Sequence, residues 1–134
     1  MIEMIKLREY AETDGTIIPV EFEKELPFKP VRMFFIRNVP NGAKRGGHAH
    51  KKCEQILIAM RGNFVIEPTW YDKNAGGLIT QPRIMLDPRY ALYAPANTWL
   101  ELFHFTPDAV CLVLASRPYE IEDYIHDRTE IIKA

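Results

Sequence analysis

Arg45, Gly46, Gly47, His48, Ala49 and His50 follow one another in the chain, and Lys51 and Lys52 come next. This segment holds two of the four histidines. In an extended strand successive side chains alternate, so His48 and His50 share one face and Ala49 points away. Imidazole is the side chain best suited to general acid–base chemistry near neutral pH. Two neighbouring imidazoles repel when both are charged, which keeps one neutral and able to act as a base. The Gly46-Gly47 pair lets the backbone bend and lets a ligand come close. Arg45, just before it, offers a planar fork of donors suited to phosphate. The plain alternative is a surface strand with two solvated histidines. Lys51 and Lys52 alternate sides, so at most one faces a pocket, and a solvated charge is the simpler reading of each.

The rest of the chain must supply a scaffold for that strand. Ile17 to Phe22 reads as a strand after the turn pair Asp14-Gly15. Val31 to Ile36 is apolar and β-prone, and stops at Asn38-Val39-Pro40-Asn41-Gly42. Gln55 to Met60 is an apolar run closed by Arg61-Gly62, with Asn63 to Ile66 directly after it. That pattern predicts a hairpin over 55–66. Gln55, Leu57 and Ala59 keep one parity within it. A polar turn over 72–77 precedes Leu78-Ile79, and Arg89 to Tyr93 precedes Pro95. Val110 to Leu114 reads as a fully buried strand. No helical periodicity is sustained in the first 115 positions, and Glu120 to His126 predicts one short helix or a last irregular strand. With ten prolines and seven glycines as punctuation, the pattern predicts an all-β sandwich or barrel.

A length of 134 residues suits one domain, expected over 1–134. The formal net charge of −1 gives no basic excess, so no nucleic-acid partner is expected, and no basic amphipathic stretch points to a membrane. Met1-Ile2-Glu3-Met4 alternates an acid with apolar residues and lacks the long apolar run of a leader or a spanning helix. The expectation is a soluble, cytoplasmic protein. Cys53 and Cys111 sit in apolar strand patterns and are expected to be buried free thiols.

His48-x-His50, followed by Glu54 or Gln55 and then Gly62, resembles the first cupin motif. The resemblance implies a cupin-type double-stranded β-helix, a jelly-roll barrel. Many cupins hold a metal through two histidines, a carboxylate and a later histidine. Counting back from Gly62 puts Gln55 at the carboxylate position, and an amide is a poor ligand beside a carboxylate. The later motif runs through Pro95 to Leu100 and puts Leu100 at its histidine position. His104, four residues on, has the same parity. The expectation is a cupin pocket used for organic acid–base work, with no metal and no cofactor.

A narrower resemblance covers nearly the whole chain. Arg45-Gly46-Gly47-His48-Ala49-His50-Lys51-Lys52-Cys53-Glu54-Gln55 is similar to the R-G-x-H-A-H-K-K-x-x-Q pattern of the dTDP-4-keto-6-deoxyglucose 3,4-ketoisomerases, the WxcM-like sugar isomerases. Asp14-Gly15-Thr16, Leu26-Pro27-Phe28, the strand led by Arg32, Pro95 with Trp99, Leu114-Ala115-Ser116, and Tyr119 with Asp123-Tyr124-Ile125 match in order and spacing. The resemblance implies an isomerase of dTDP-linked sugars, in deoxysugar biosynthesis for lipopolysaccharide or other glycans. Such enzymes move a keto group from C4 to C3 through an enediol, use no metal, and pair as homodimers that exchange N-terminal strands. The chain departs from the pattern twice. The family carries a tyrosine in the strand where this chain has Phe34-Phe35, and a histidine after the tryptophan where it has Leu100. Tyr93 and His104 are the candidates to replace the missing group.

Proton transfer between adjacent carbons needs a base on one face of the sugar and donors for the enediolate. His48 is assigned as the base and His50 as its donor or partner, the two roles being exchangeable. Arg45 and Arg32 are candidates for the pyrophosphate or the sugar oxygens, with Gln55 and Lys51 as further binding residues. Trp99 packs either on the nucleotide or in the core. Tyr119 and Tyr124 are assigned to closing the barrel or the dimer. Three alternatives remain open: a sugar-nucleotide 3,5-epimerase, a metal-dependent cupin enzyme, and a non-catalytic sugar-nucleotide-binding protein.

Overall fold

The computed structural model describes residues 2–133; Met1 and Ala134 lie outside the described residues. Two antiparallel sheets face each other. The first holds, in spatial order, β1 (Glu3–Lys6), β10 (Tyr90–Ala94), β6 (Gln55–Arg61), β12 (Val110–Ala115) and β4 (Arg32–Arg37). The second runs β13 (Tyr124–Ile125), β5 (Arg45–His50), β11 (Trp99–Phe103), β7 (Phe64–Asp72) and β8 (Gly77–Thr80), with β9 (Ile84–Leu86) also on β7. A small ribbon pairs β2 (Tyr10–Glu12) with β3 (Gly15–Ile17). This is the cupin-type barrel that the sequence resemblance implies.

The central strand β6 of the first sheet is covered on both faces, which explains its continuous apolar run. In β6, Leu57 and Ala59 point into the barrel with Phe64, Ile66, Leu92 and Val113. The alternate residues Ile56 and Ile58 point outward, where Leu7 and Leu26 of the N-terminal segment cover them. The second sheet has a smaller outer cluster, in which Ala49, Trp99, Ile125 and Ile131 pack together.

Two sequence expectations are corrected here. Residues 55–66 do not form a hairpin: β6 pairs with β10 and β12, whereas β7 pairs with β11, β8 and β9. The turn at Gly62 carries the chain from one sheet to the other. Gly62 has φ +67, and a Cβ there would stand 2.3 Å from Thr106 Oγ1 and 2.9 Å from Ala109 Cα. The glycine therefore serves a tight corner rather than a two-residue hairpin. The strand expected over Ile17 to Phe22 ends at Ile17. Pro19 has no N–H for a ladder, and a turn follows in which Glu25 Oε1 accepts from the Glu21 N–H at 2.7 Å. Arg8 reinforces that turn by bonding both glutamates.

The C-terminal expectation is resolved into both of its alternatives in sequence. Ile121–Asp123 forms one 3₁₀ turn, and Tyr124–Ile125 then adds a two-residue strand to β5. Cys53 and Cys111 are buried and free. No helix of the described residues is long and apolar enough to cross a membrane.

Candidate active site

A cavity of about 160 Å³ lies between the two sheets. One wall comes from β5, which contributes Arg45, Gly46, His48 and His50. Gln55 and Leu57 of β6, Thr98 and Leu100 at β11, Phe34 of β4 and Tyr124 of β13 stand around it. The alternation of β5 is as the sequence requires. His48 and His50 point inward with ring centroids 5.2 Å apart, nearly perpendicular, and Ala49 is buried on the opposite face.

The entry of β5 depends on its glycines. Gly46 and Gly47 have φ +80 and +75, a region that costs other residues about 1–2 kcal/mol. At Gly46 a Cβ would also lie 2.6 Å from the Leu100 carbonyl oxygen. This close approach coincides with a register shift between Leu100 and Glu101 in the β5–β11 pairing. The bend leaves Arg45 exposed at the rim while His48 is half-buried and His50 lies deep.

Both ring nitrogens of His50 are engaged. Nδ1–H donates to Asp123 Oδ2 at 3.3 Å. Nε2 accepts from the Gln55 amide at 3.4 Å. The two contacts specify one neutral tautomer, because a carboxylate only accepts and an amide nitrogen only donates. Asp123 is itself fixed: Oδ1 accepts from the Lys52 N–H at 2.8 Å and Oδ2 from the Cys53 N–H at 3.2 Å. Burial drives the His50 pKa down to about 4, and the charge of His48 adds to this, against the opposite pull of Asp123. Burial is also the main cause that lowers His48, with a hydrogen bond to the Gly46 backbone opposing it. Both histidines are therefore neutral bases at pH 7.

The predicted site residues separate into two groups. Arg45, His48, His50 and Gln55 meet at the cavity. Arg32 lies beside it, on β4. Its guanidinium carbon is 5.1 Å from the Phe34 ring and 5.8 Å from the Tyr119 ring, and its Nε is buried without a hydrogen-bond partner. Lys51 is exposed on the bend after β5 and is not part of the cavity wall. Trp99 is buried in the outer cluster with Ala49 and Ile125, so its ring packs behind the sheet that carries the histidines. The reason is parity: Leu100, its neighbour in β11, takes the inward position.

Neither sequence candidate for the missing proton-carrying group reaches the cavity. The Tyr93 hydroxyl donates to Glu54 Oε1 in the outer cluster under the N-terminal segment. His104 lies in a charged groove on the outside of the second sheet, with Lys44, Glu101 and Arg128. Asp123, Thr98 and Tyr124 are the residues that the sequence reading gave no role in the site. The only trace of Asp123 was an acid in a short stretch otherwise matched by aromatic and apolar residues.

Among the described residues, His50, Cys53 and Asp123 have potential metal-ligand atoms within 4.8 Å of one another. They do not fit a catalytic metal. Asp123 is already committed to His50 and to two backbone N–H groups, and the Cys53 thiol donates to the Glu54 carbonyl at 3.4 Å. A catalytic metal needs a position open to substrate, and Leu100 and Gln55 occupy the corresponding cavity walls.

Comparison with known proteins agrees with this geometry. The family model described as "FdtA: WxcM-like, C-terminal" matches residues 1–134. The chain is 32% identical over 124 residues to the TDP-4-oxo-6-deoxy-alpha-D-glucose-3,4-oxoisomerase of Aneurinibacillus thermoaerophilus, covering 92% of this chain and 84% of that protein. It is 33% identical to the 3,4-ketoisomerase QdtA of Thermoanaerobacterium thermosaccharolyticum, solved as a mutant in complex with TDP-4-keto-6-deoxyglucose. That match has a TM-score of 0.88 and covers 98% of this chain and 94% of the other. The WlaRB TDP-quinovose 3,4-ketoisomerase of Campylobacter jejuni is similar at 32% identity and a TM-score of 0.86, over 99% and 98% of the two chains. A barrel with paired inward histidines and a family match along its whole length lead to one conclusion: the chain belongs to the FdtA, WxcM-like family.

Proposed function

We propose that this chain is a sugar-nucleotide 3,4-ketoisomerase that moves the keto group of a TDP-linked 4-keto-6-deoxyglucose from C4 to C3. The observation that carries this reading is the pair of neutral histidines at one cavity, one fully engaged and one not. His50 has both nitrogens bonded, so it serves as a positioned partner. His48 faces the cavity without such a clamp and is the base. It takes the C3 proton and returns it to C4. Charge that develops on the oxygens meets Arg45 at the rim and the amide of Gln55. Arg45, together with Arg32, also suits the pyrophosphate as a guanidinium fork. Lys51 and Trp99 take no part in this assignment, because one is exposed and the other packs behind the sheet.

The whole of 1–134 is read as one cupin domain acting in deoxysugar biosynthesis for glycans. Two buried free thiols suit a reducing, cytoplasmic setting. The chain is further read as a homodimer with exchanged N-terminal strands, an exchange that would replace the pairing of β1 with β10 of its own chain. Val31, just before the edge strand β4, and Met33 and Phe35 on it support a partner surface: they are 61%, 64% and 56% exposed. An apolar edge of that kind is commonly covered.

Proton NMR of the product formed from TDP-4-keto-6-deoxyglucose in deuterated water tests the reaction. A 3-keto product, with any solvent deuterium at C4, is the expected result. Deuterium at C5 would establish epimerisation instead, and unchanged substrate would leave a binding protein.

A further inference from the structure

Keto migration moves two kinds of proton. One travels between carbons, and His48 accounts for it. The other travels between oxygens: the C4 carbonyl oxygen gains a proton and the C3 hydroxyl loses one. The second transfer needs a group that both donates and accepts. Arg45 and the Gln55 amide nitrogen donate only, and His50 is held in one tautomer by Asp123 and Gln55. Phe34, on the cavity wall, has no hydroxyl.

We propose that Tyr124 is the residue that carries the oxygen-bound proton, a role that rests on the ketoisomerase reading above. Tyr124 lines the cavity, and its ring centroid is 4.9 Å from that of His48 and 4.4 Å from that of His50. Its position is fixed from two sides. β13 pairs with β5 so that Tyr124 is opposite His50, and the His126 ring stacks on it at 5.9 Å. A phenol is both donor and acceptor. The other cavity hydroxyl, Thr98, is a far weaker acid.

His48 takes the C3 proton, the C3–H electron pair forms the C3=C4 bond, and the carbonyl oxygen takes the proton of Tyr124. This gives a neutral enediol, an imidazolium and a tyrosinate. The C3 hydroxyl then returns a proton to the tyrosinate as C3=O forms, and the C4 carbon takes the proton of His48. Both side chains end as they began.

The test uses full-length protein and TDP-4-keto-6-deoxyglucose, with the wild type assayed first. No turnover by the wild type would remove the ketoisomerase reading and this proposal together. With wild-type turnover in hand, Tyr124→Phe keeps the ring packing and removes the hydroxyl. Expected is a fall in kcat on the order of 10²-fold or more, with KM and TDP affinity within threefold. Adding Phe34→Tyr, which puts a hydroxyl on the β4 part of the same cavity wall, is expected to recover at least tenfold. A kcat within threefold of wild type in Tyr124→Phe would overturn the proposal, as would a loss matched by an equal loss of TDP binding. If Tyr124→Phe does not fold, incorporation of a fluorinated tyrosine at 124 decides the matter. The alkaline limb of the kcat profile is expected to move to lower pH with the more acidic phenol, against a background of His48, His50, His126, Tyr119 and Arg32. An unmoved profile would overturn the proposal.

Discussion

Asp123 Oδ2 accepts a hydrogen bond from His50 Nδ1 at 3.3 Å across 73 positions of sequence, with both groups buried. The same carboxylate ties down the backbone of Lys52 and Cys53. One side chain thus fixes the histidine's tautomer and closes the bend that follows the histidine strand.

Asp123→Asn should separate these two duties. The amide still accepts one backbone bond, but its nitrogen offers a donor to Nδ1 and favours the tautomer that opposes the Gln55 amide. Turnover is expected to fall on the order of 10–10²-fold, in the low range for a disturbed acid–base group. Asp123→Ala leaves buried N–H groups unpaired, at about 1–3 kcal/mol each. Steady-state kinetics beside urea denaturation would check both. Full activity in Asp123→Asn would show that the tautomer is unimportant.

His48→Asn should abolish isomerisation while the protein still binds TDP. The residue is half-buried, and its hydrogen bond is to the Gly46 backbone of its own strand. A loss of at least about 10²-fold in kcat is expected, with TDP affinity by calorimetry nearly unchanged. Normal turnover would assign the carbon base elsewhere.

The buried histidines also couple folding to pH. In the folded protein His50 is lowered from 6.5 to about 4, so between those values the unfolded chain binds a proton that the folded chain refuses. Unfolding free energy therefore rises with pH across this window. The stability is fully present above 6.5 and is lost as pH falls toward 4. Urea midpoints at pH 7 and pH 4.5 should differ in the wild type, and His50→Gln should narrow the gap. Equal wild-type midpoints would contradict the burial account. Turnover should also persist below the ordinary histidine range, because His48 is shifted in the same direction.

Gly46→Ala and Gly47→Ala provide a paired test of the bend. Both glycines have positive φ, but a Cβ at Gly46 meets the Leu100 carbonyl at 2.6 Å and one at Gly47 meets nothing within 4 Å. Gly47→Ala should cost about 1 kcal/mol from backbone conformation alone. Gly46→Ala should cost on the order of 2–3 kcal/mol and reduce turnover, since the strained turn aims Arg45 and His48. Comparable losses in the two variants would mean that the close approach is not tight.

For the dimer, Met33→Glu combined with Phe35→Lys should leave a folded monomer. Sedimentation velocity of wild type and variant at matched concentration measures this. A wild type that sediments as a monomer would dispose of the dimer reading.

Much of this molecule is legible in its sequence. Alternation along β5 alone put His48 and His50 on one face, because strand geometry is local and its period is two. The absence of helical periodicity and the spacing of Pro and Gly sufficed for an all-β sandwich or barrel, the resemblance to the first cupin motif narrowed it to a barrel, and the R-G-x-H-A-H-K-K-x-x-Q pattern carried the family. Gln55 and Leu100 at cupin ligand positions also came from spacing.

Partnership between sheets was a different matter. Gln55–Ile66 looked like a hairpin because a turn residue separated two apolar runs, yet the runs belong to opposite sheets. Only the crowding at Gly62 from Thr106 and Ala109 reveals a corner. Trp99 and Leu100 each had apolar character, and the pairing of β11 decided which one faced the cavity. The place of Asp123 and Tyr124 in the site was unreadable for the same reason. They belong to a 3₁₀ turn and a two-residue strand, too short for any periodic signal, and their roles arise when Tyr124 is set opposite His50. The sequence by itself determined the histidine pair and its face; the tertiary structure decided what holds one histidine still and what stands beside the other, because those contacts join segments some seventy residues apart.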